Sequence, residues 1–170
     1  MTARPQTKLA MRPMLPADVP ILAEIFRASI EELSADDYTD TQRQAWASAA
    51  DDEEEFGVRL SSELTLVATL DDETIGFASL AGNSRIDMLY VYPAAAGQGA
   101  ATMLCDALET LAAARGTEEL SVDASDSARG FFERRGFVGK TRNSVSVGGE
   151  WLANTTMTKS LPTQAKGTLQ

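Results

Sequence analysis

A chain of 170 residues with 44% hydrophobic and 24% charged residues has the size and composition of one globular domain with a buried core. Its net charge of −10 argues against a general nucleic-acid binder, because such proteins gain affinity by neutralising phosphates. The sequence has no histidine and one cysteine, Cys105, which excludes an internal disulfide, a multi-cysteine metal site and every histidine-based nucleophile pair. We therefore expect no metal and no nucleic-acid partner.

The chain also lacks signals for a membrane. No apolar run approaches the ~18 residues that a membrane-spanning helix needs. The N-terminal segment MTARPQTKLAMRP has no apolar signal core, so we expect a cytoplasmic protein with no membrane partner. We expect a single domain over residues 8–160, with disordered tails at 1–7 and 161–170. The sequence does not determine the oligomeric state, and a homodimer stays open.

The first part of the chain predicts one strand followed by helices. Residues 9–14 have the pattern of a short strand. Asp18 is a suitable N-cap for a helix over residues 19–33, which carries an apolar stripe at helical spacing. Residues 40–60 then predict one or two short helices that direct Trp46 inward.

The rest of the chain alternates strands with helices. Two β-rich runs at 63–70 and 73–81 meet at Asp71–Asp72, which predicts a hairpin, and a third strand follows at 84–92. The remaining predicted elements are a helix over 98–115, a strand at 118–124, a short helix at about 126–135, and strands around 137–147 and 151–159. This order predicts a mixed sheet with helices on its faces.

The segment after the third strand, YPAAAGQGAATML (92–104), is built almost entirely from small residues. It offers bare backbone N–H groups before a helix N-terminus, where the helix dipole favours a phosphate. Taken alone, it fits a phosphate site and a plain strand-to-helix turn equally well. A P-loop at this segment is excluded because it requires Gly-Lys-Ser/Thr, and no lysine lies anywhere between residues 9 and 139. A dinucleotide fingerprint is weak because Thr102 stands where the third glycine belongs.

Two motifs together indicate a family. The run MLYVYPAAAGQGAATMLCDAL (88–108) resembles the acyl-coenzyme-A loop of the GCN5-related N-acetyltransferases (GNAT), in which Val-x-Pro leads to Arg/Gln-x-x-Gly-x-Gly/Ala at a helix start. Gly99 and Ala101 match the two small positions. The run VDASDSARGFFERRGF (122–137) resembles the second family motif, Asn-x-x-Ala-x-x-Leu/Phe-Tyr-x-x-x-Gly-Phe. With the element order, the resemblance covers most of residues 8–160.

Shorter pieces, IDMLYV, VDAS, FFERRGF and GEWLANTTM, are similar to the YafP-like bacterial branch of that family. The resemblance implies the GNAT fold, an α/β (α+β) arrangement with a mixed, mostly antiparallel sheet of about six or seven strands flanked by about four helices. It implies acetyl-CoA (coenzyme A) as cofactor and an N-acetyltransferase, which transfers an acetyl group to a small-molecule amine by direct attack on the thioester. A catalytically idle acyl-CoA-binding or regulatory module and a nucleotide-binding α/β domain stay open as alternatives.

The resemblance also places the cofactor along the third strand, the glycine loop and the second motif. The residues expected to contact it are Leu89, Tyr90, Val91, Gly97, Gln98, Gly99, Ala100, Ala101, Thr102, Ser125, Ala128, Arg129 and Phe132. A backbone N–H near Tyr90 or Val91 is expected to polarise the thioester carbonyl. Phe132 departs from the pattern, because many members carry a tyrosine there that protonates the departing thiolate. Ala96 stands where an Arg or Gln that contacts phosphate is usual.

With no histidine available, the general base must be an Asp, a Glu, a Tyr or an ordered water. We predict Asp87, which lies near the start of the strand leading to the glycine loop, where several family members carry a catalytic Glu. The alternative is a strand-start carboxylate that faces solvent. The residues predicted to contact the acceptor are Tyr38, Trp46, Trp151 and Asn154. Trp46 also fits a core position, and Cys105 is expected to be buried, so we expect no acyl-cysteine step.

The negative charge is concentrated in residues 31–55, which hold ten acidic residues against Arg43 alone. In this family's fold, that segment borders the acceptor entrance. A carboxylate-lined entrance attracts protonated amines, so we predict a cationic or neutral amine acceptor. The alternative is an acidic segment that serves only solvation.

Overall fold

The structure is a computed structural model that describes residues 7–162. The α-helices in this range are α1 (Val19–Leu33), α2 (Asp40–Ala47), α3 (Glu53–Ser61), α4 (Ala100–Ala114) and α5 (Arg129–Arg134). The strands are β1 (Leu9–Pro13), β2 (Leu64–Leu70), β3 (Glu73–Ala81), β4 (Arg85–Val91), β5 (Glu119–Ser125), β6 (Val138–Val147) and β7 (Glu150–Ser160). None of the helices in the described range combines the length and the apolar character needed to cross a bilayer.

The strands of the described range form one sheet in the order β1-β2-β3-β4-β5-β7-β6. Neighbouring strands are antiparallel except β4 and β5, which run parallel. The hairpin between β2 and β3 turns at Asp71 and Asp72, as predicted. Their φ angles of 51° and 71° are those of a tight turn whose twist matches the flanking strands. The sheet is therefore mixed and mostly antiparallel.

Helices cover both faces of the sheet, so the buried apolar side chains form two clusters. On one face, α4 and α5 contribute Leu104, Leu108 and Phe132. On the other face, α1 and α3 contribute Ile25 and Phe56. The central strands β2, β3 and β4 supply side chains to both clusters, which fixes their position and the direction of each side chain.

Two details differ from the sequence-based expectation. Asp18 precedes α1 but does not cap it, because a 3-10 turn directs its carboxylate to the Leu15 N–H (2.7 Å) and to the Arg12 guanidinium (2.7 Å). Leu161 falls in an expected tail but is buried, and its N–H donates to the Glu118 carbonyl at 2.8 Å. Most of the two expected tails, at 1–6 and 163–170, lies outside the described residues.

Candidate active site

Strands β4 and β5 begin side by side and then separate. Their parallel pairing is limited to Arg85 opposite Ser121 and Ile86 opposite Val122, although both strands continue beyond these pairs. The separation opens a cavity of about 720 Å³ between residues 89–91 of β4 and the second half of β5. Because the facing edges no longer pair with each other, their backbone groups are available to a ligand.

One end of the cavity meets the N-terminus of α4. Gly97 and Gly99 have φ angles of 82° and 94°, which favour glycine. Gly99 is the N-cap, and no side chain caps the helix there, so the first backbone N–H groups of α4 lack an intrahelical partner. The lining from this loop is small: Ala95, Ala96, Gly97, Gly99, Ala100, Ala101 and Thr102. This end therefore fits a phosphate lying close to the main chain.

The α5 side of the cavity is an apolar wall. Phe132 lines the cavity, is 2% exposed, and packs edge-on against Phe131 and Phe137 with ring centroids 5.2 Å apart in each case. The Ser125 hydroxyl accepts a hydrogen bond from the Ala128 N–H at 3.1 Å, which orders the turn before α5. An apolar ring thus stands at the position where the family resemblance implies a tyrosine.

Aromatic side chains line the opposite part of the cavity, beneath α1 and α2. The Tyr38 hydroxyl donates to the Ala153 carbonyl at 2.6 Å and accepts from the Asp126 N–H at 2.9 Å, so it joins the loop before α2 to the ends of β5 and β7. Burial raises the pKa of Tyr38, which keeps the phenol neutral. Trp46 packs edge-on against Tyr38 and Tyr90, so it belongs to the core and to the cavity wall at once.

Asp87 lies at an irregularity in β4. Ser79 of β3 pairs with Met88, whereas the next residue, Leu80, pairs with Ile86, so Asp87 is an extra residue in the strand. Such a bulge re-aims a side chain and is frequent beside active sites. The bulge directs Asp87 towards α3 and into the lining of the cavity.

Two arginine side chains hold the Asp87 carboxylate. Arg59 of α3 donates two hydrogen bonds to it (3.1 and 2.8 Å), and Arg85 donates one (2.7 Å). The Asp87 side chain is 5% exposed, whereas the arginines are 48% and 44% exposed. Burial raises the pKa of Asp87, but the hydrogen bond from Glu63 and the charges of Arg59 and Arg85 outweigh it, so the pKa is lowered. Asp87 is therefore ionised at neutral pH and can accept a proton, but it is a weak base.

Glu63, directly before β2, faces Asp87 and was not predicted. Burial, followed by the hydrogen bond with Asp87, raises the pKa of Glu63 to about 7. Its Oε1 atom is buried without a hydrogen-bond partner among the described residues. In the sequence, Glu63 has the pattern of a solvent-facing carboxylate at a strand start. Only the pairing of β2, β3 and β4 brings it beside Asp87.

Most of the predicted site residues meet in this one cavity. Those that line it are Asp87, Leu89, Tyr90, Val91, Gly97, Gly99, Ala100, Ala101, Thr102, Ser125, Ala128, Phe132, Tyr38, Trp46 and Asn154. Gln98, Arg129 and Trp151 lie outside the lining. Arg129 turns towards β7, with Nη1 3.5 Å from the Thr155 hydroxyl, and Trp151 is 64% exposed. Arg59, which was not predicted, lines the cavity in addition.

The ten acidic side chains of residues 31–55 lie outside the lining of the cavity, although Tyr38 and Trp46 of the same segment belong to it. Asp37 nevertheless accepts a hydrogen bond at 2.8 Å from the hydroxyl of Ser127, which lines the cavity. The charged residues of the lining are Arg59, Arg85, Asp87 and Asp123, so the lining itself is balanced in charge.

Two groups, one in the core and one in the cavity wall, keep their protons. Cys105 lies inside α4 in the core, and burial raises its pKa to about 12, so it is a thiol rather than a nucleophilic thiolate. Burial also raises the pKa of Tyr90, whose ring packs against Phe26 and Phe77. Neither group has the ionisation that covalent catalysis would need.

Comparisons with known proteins agree with this geometry. The model of the acetyltransferase (GNAT) domain family matches residues 34–161. An N-acetyltransferase of Escherichia coli (strain K12), YafP, is 32% identical over 146 residues, which are 86% of this chain and 92% of that protein. The crystal structure of a GCN5-related N-acetyltransferase from Rhodopseudomonas palustris is 61% identical, with a TM-score of 0.89 over 89% of this chain and 95% of that one.

A PaiA N-acetyltransferase from Thermoplasma acidophilum, solved in complex with coenzyme A, shares the fold at 20% identity. Its TM-score is 0.74 over 90% of this chain and 99% of that one. The sheet with its separated β4 and β5, the glycine loop before α4 and these matches lead to one assignment. The chain belongs to the GCN5-related N-acetyltransferase (GNAT) family.

Proposed function

We propose that this protein is an acetyl-CoA-dependent N-acetyltransferase that acts on a small-molecule amine. The observation that carries the proposal is the cavity that runs from the N-terminus of α4, through the gap between β4 and β5, to Asp87. A cavity of this form suits a long acyl carrier with phosphates at one end and an acceptor amine at the other. The shared fold with a PaiA protein in complex with coenzyme A supports this choice of cofactor.

The loop before α4 fits the pyrophosphate of coenzyme A. Gly97 and Gly99 leave no Cβ between the main chain and a bound phosphate, and the uncapped N–H groups of α4 can donate to it. The pantetheine arm would lie between the facing edges of β4 and β5. Its proposed contacts are Leu89, Tyr90, Val91, Ser125, Ala128 and Phe132. Gln98 and Arg129 stay predictions, since neither lines the cavity.

Acetyl-CoA, when bound, supplies a thioester for direct attack by the amine. A backbone N–H near Tyr90 or Val91 is free to donate to the thioester oxygen, because β5 does not pair with β4 at that height. Asp87 takes the proton of the acceptor amine, directly or through a water. Tyr38, Trp46 and Asn154 are the proposed contacts to the acceptor.

The acceptor that we propose is a neutral or cationic amine. Arg59 and Arg85 both pair with Asp87, and the remaining wall beneath α1 and α2 is largely apolar and aromatic. The acidic side chains of residues 31–55 favour the approach of a cation. Four expectations from the sequence stay predictions. They are the contact of Trp151 with the acceptor, the single domain, the cytoplasmic location and the assembly state.

The test is an acetyl-transfer assay with thiol detection. The protein is incubated with acetyl-CoA and a panel of small amines, and free coenzyme A thiol is followed over time. We expect thiol release that depends on one class of amine and that is absent when the amine or the protein is omitted. Mass spectrometry of the product should show one added acetyl group on the amine.

An idle acyl-CoA-binding module is the second candidate, favoured by the apolar ring of Phe132 at the proton-donor position and by Ala96 in the loop. Thermal stabilisation by coenzyme A, without thiol release for any amine, would support this module against the enzyme. Stabilisation by NAD but not by coenzyme A would instead support a nucleotide-binding domain.

A further inference from the structure

Glu63 and Asp87 form a pair of carboxyl groups where β4 and β5 begin to separate. Glu63 precedes β2, Asp87 is the extra residue of β4, and Ser79 lies on β3 between these strands. Glu63 Oε1 and Ser79 Oγ are both buried without a hydrogen-bond partner in residues 7–162. A buried carboxylate oxygen without a donor is costly, whereas a protonated carboxyl can itself donate to a neighbour. This geometry favours a carboxyl group that keeps its proton.

The charged groups around the pair determine which member is ionised. Arg59 from α3 and Arg85 from β4 direct all three of their hydrogen bonds to Asp87. Around Glu63, burial and Asp87 raise the pKa of its carboxyl group, whereas the Ser79 hydroxyl and the charge of Arg59 lower it by less. Two carboxyl groups in hydrogen-bond contact cannot both ionise without a large cost. The proton therefore rests on Glu63, in agreement with its raised pKa of about 7.

We propose that Glu63 is a positioning residue that shares one proton with Asp87, so that the two carboxyl groups act as a unit in taking the proton from the acceptor amine. Asp87 lines the cavity and Glu63 does not, so the proton enters at Asp87. Starting from the doubly ionised pair, one N–H bond of the ammonium group breaks, and its electron pair stays on nitrogen. One O–H bond forms on the pair, the proton passes to Glu63, and Asp87 stays ionised between its arginines.

The kinetic test of this proposal rests on the proposed acetyl transfer. The tests of the shared proton by NMR and by thermal melting need no enzyme activity. The proton can be observed by NMR in protein with ¹³C-labelled glutamate side chains, where the carboxyl resonance missing from Glu63→Gln identifies Glu63. We expect that resonance to titrate with a midpoint near pH 7, and to titrate at lower pH in Asp87→Asn, which removes the neighbouring charge. A wild-type midpoint near the ordinary glutamate value of about 4.3 would overturn the inference.

The same proton links stability to pH. The pKa of Glu63 is raised in the folded state, so its stabilising contribution is fully present below the unfolded-state pKa and is lost as the pH rises through about 7. We expect the Tm of the wild type minus that of Glu63→Gln to fall between about pH 5 and about pH 8. The matched control is Glu73→Gln, the same substitution at an exposed glutamate at the start of β3, outside the pair. The same pH dependence of the Tm difference for Glu63→Gln as for Glu73→Gln would contradict the shared proton.

The kinetic readout is the ratio of kcat/KM between the wild type and Glu63→Gln. It should rise by about tenfold from pH 6 to pH 8, because a group with a pKa near 7 changes from about one-tenth to about nine-tenths ionised over that span. The ratio cancels the titration of the amine itself. Thiol release with a flat ratio would overturn the role of Glu63 and leave the proposed function intact. Without thiol release for any amine, the proposed function fails, while the NMR and Tm titrations still decide the shared proton.

Discussion

Asp87 combines a structural ion pair with the proposed proton transfer, so its substitution tests both. Asp87→Asn keeps the size of the side chain and removes its charge. We expect kcat to fall by roughly 10²–10⁴-fold, the usual contribution of a general base. Because Arg59 and Arg85 lose their carboxylate partner, we also expect a lower Tm. Initial rates at saturating acetyl-CoA and a thermal melt separate the two effects.

The matched control is Asp123→Asn on the facing strand β5. Asp123 lines the same cavity but pairs with no arginine in residues 7–162 and accepts a hydrogen bond from Thr156 at 2.7 Å. Its loss of activity should be much smaller than that of Asp87→Asn. If Asp87→Asn keeps its rate and an unchanged pH profile, Asp87 has no part in proton transfer.

Phe132 offers a gain-of-function test. Its ring lies in the cavity wall, so Phe132→Tyr adds a hydroxyl where the family resemblance places the proton donor for the thiolate. We expect the fold to tolerate the change, and a higher kcat would mean that thiolate protonation limits the wild type. Phe137→Tyr is the control, because Phe137 is buried outside the cavity lining and an unsatisfied hydroxyl costs about 1–3 kcal/mol there. A comparable Tm loss in both variants, with no gain in kcat, would mean that the new hydroxyl does not reach the cavity.

At the scale of an element, α4 provides a test of the phosphate site with its own control. Gly99 precedes its first residue and Gly116 follows its last turn, with φ angles of 94° and 87°. Gly99→Val and Gly116→Val therefore introduce the same type of backbone strain at opposite ends of one helix. Only Gly99→Val places methyl groups beside the proposed pyrophosphate. We expect both variants to melt at lower temperature, but only Gly99→Val to lose the thermal stabilisation that coenzyme A gives. Full stabilisation of Gly99→Val would contradict this location.

The elements were predictable from the sequence because each carries a local signal. The hairpin turn at Asp71–Asp72 and the glycine loop before α4 were recognised from residue type alone. The GNAT fold was predicted from two motifs, and the match to the family model confirms it. Glu63 and Arg59 carry no such signal. They reach Asp87 only because β2, β3 and α3 pack together there, and such contacts between distant segments depend on the folded sheet.

The bulge at Asp87 was also invisible in the sequence. A run of seven residues with strand character gives no sign that one of them lacks a partner on β3. In the structure this single extra residue changes the side-chain direction at the point where β4 leaves β5. The bulge, the ion pairs of Asp87 and the opening of the cavity therefore occur within the same few residues of β4.

At the scale of the whole molecule, the site combines a neutral lining with an acidic surface beside it. The charges that line the cavity balance, so they select neither sign of acceptor. Most of the net charge of −10 comes from residues 31–55. Since these acidic side chains do not contact the cavity, we expect them to act by long-range attraction, which raises the rate of encounter with a cation more than the strength of binding.

This separation of lining from surface leads to a prediction about salt. Long-range attraction fades over a Debye length of ~8 Å at physiological ionic strength. We expect the kcat/KM of a cationic acceptor to fall with added salt, and to fall in the same direction when Asp36, Asp37 and Asp40 are changed to Asn. The triple variant should be less sensitive to salt than the wild type, because part of the attraction is already gone. Changing three exposed acids elsewhere, Asp72, Glu73 and Glu119, provides a control with equal charge loss, and its salt dependence should follow the wild type. Equal salt dependence of kcat/KM in the two triple variants would mean that net charge alone, and not the position of the acidic residues, causes the effect. A preferred acceptor with net negative charge would contradict the prediction.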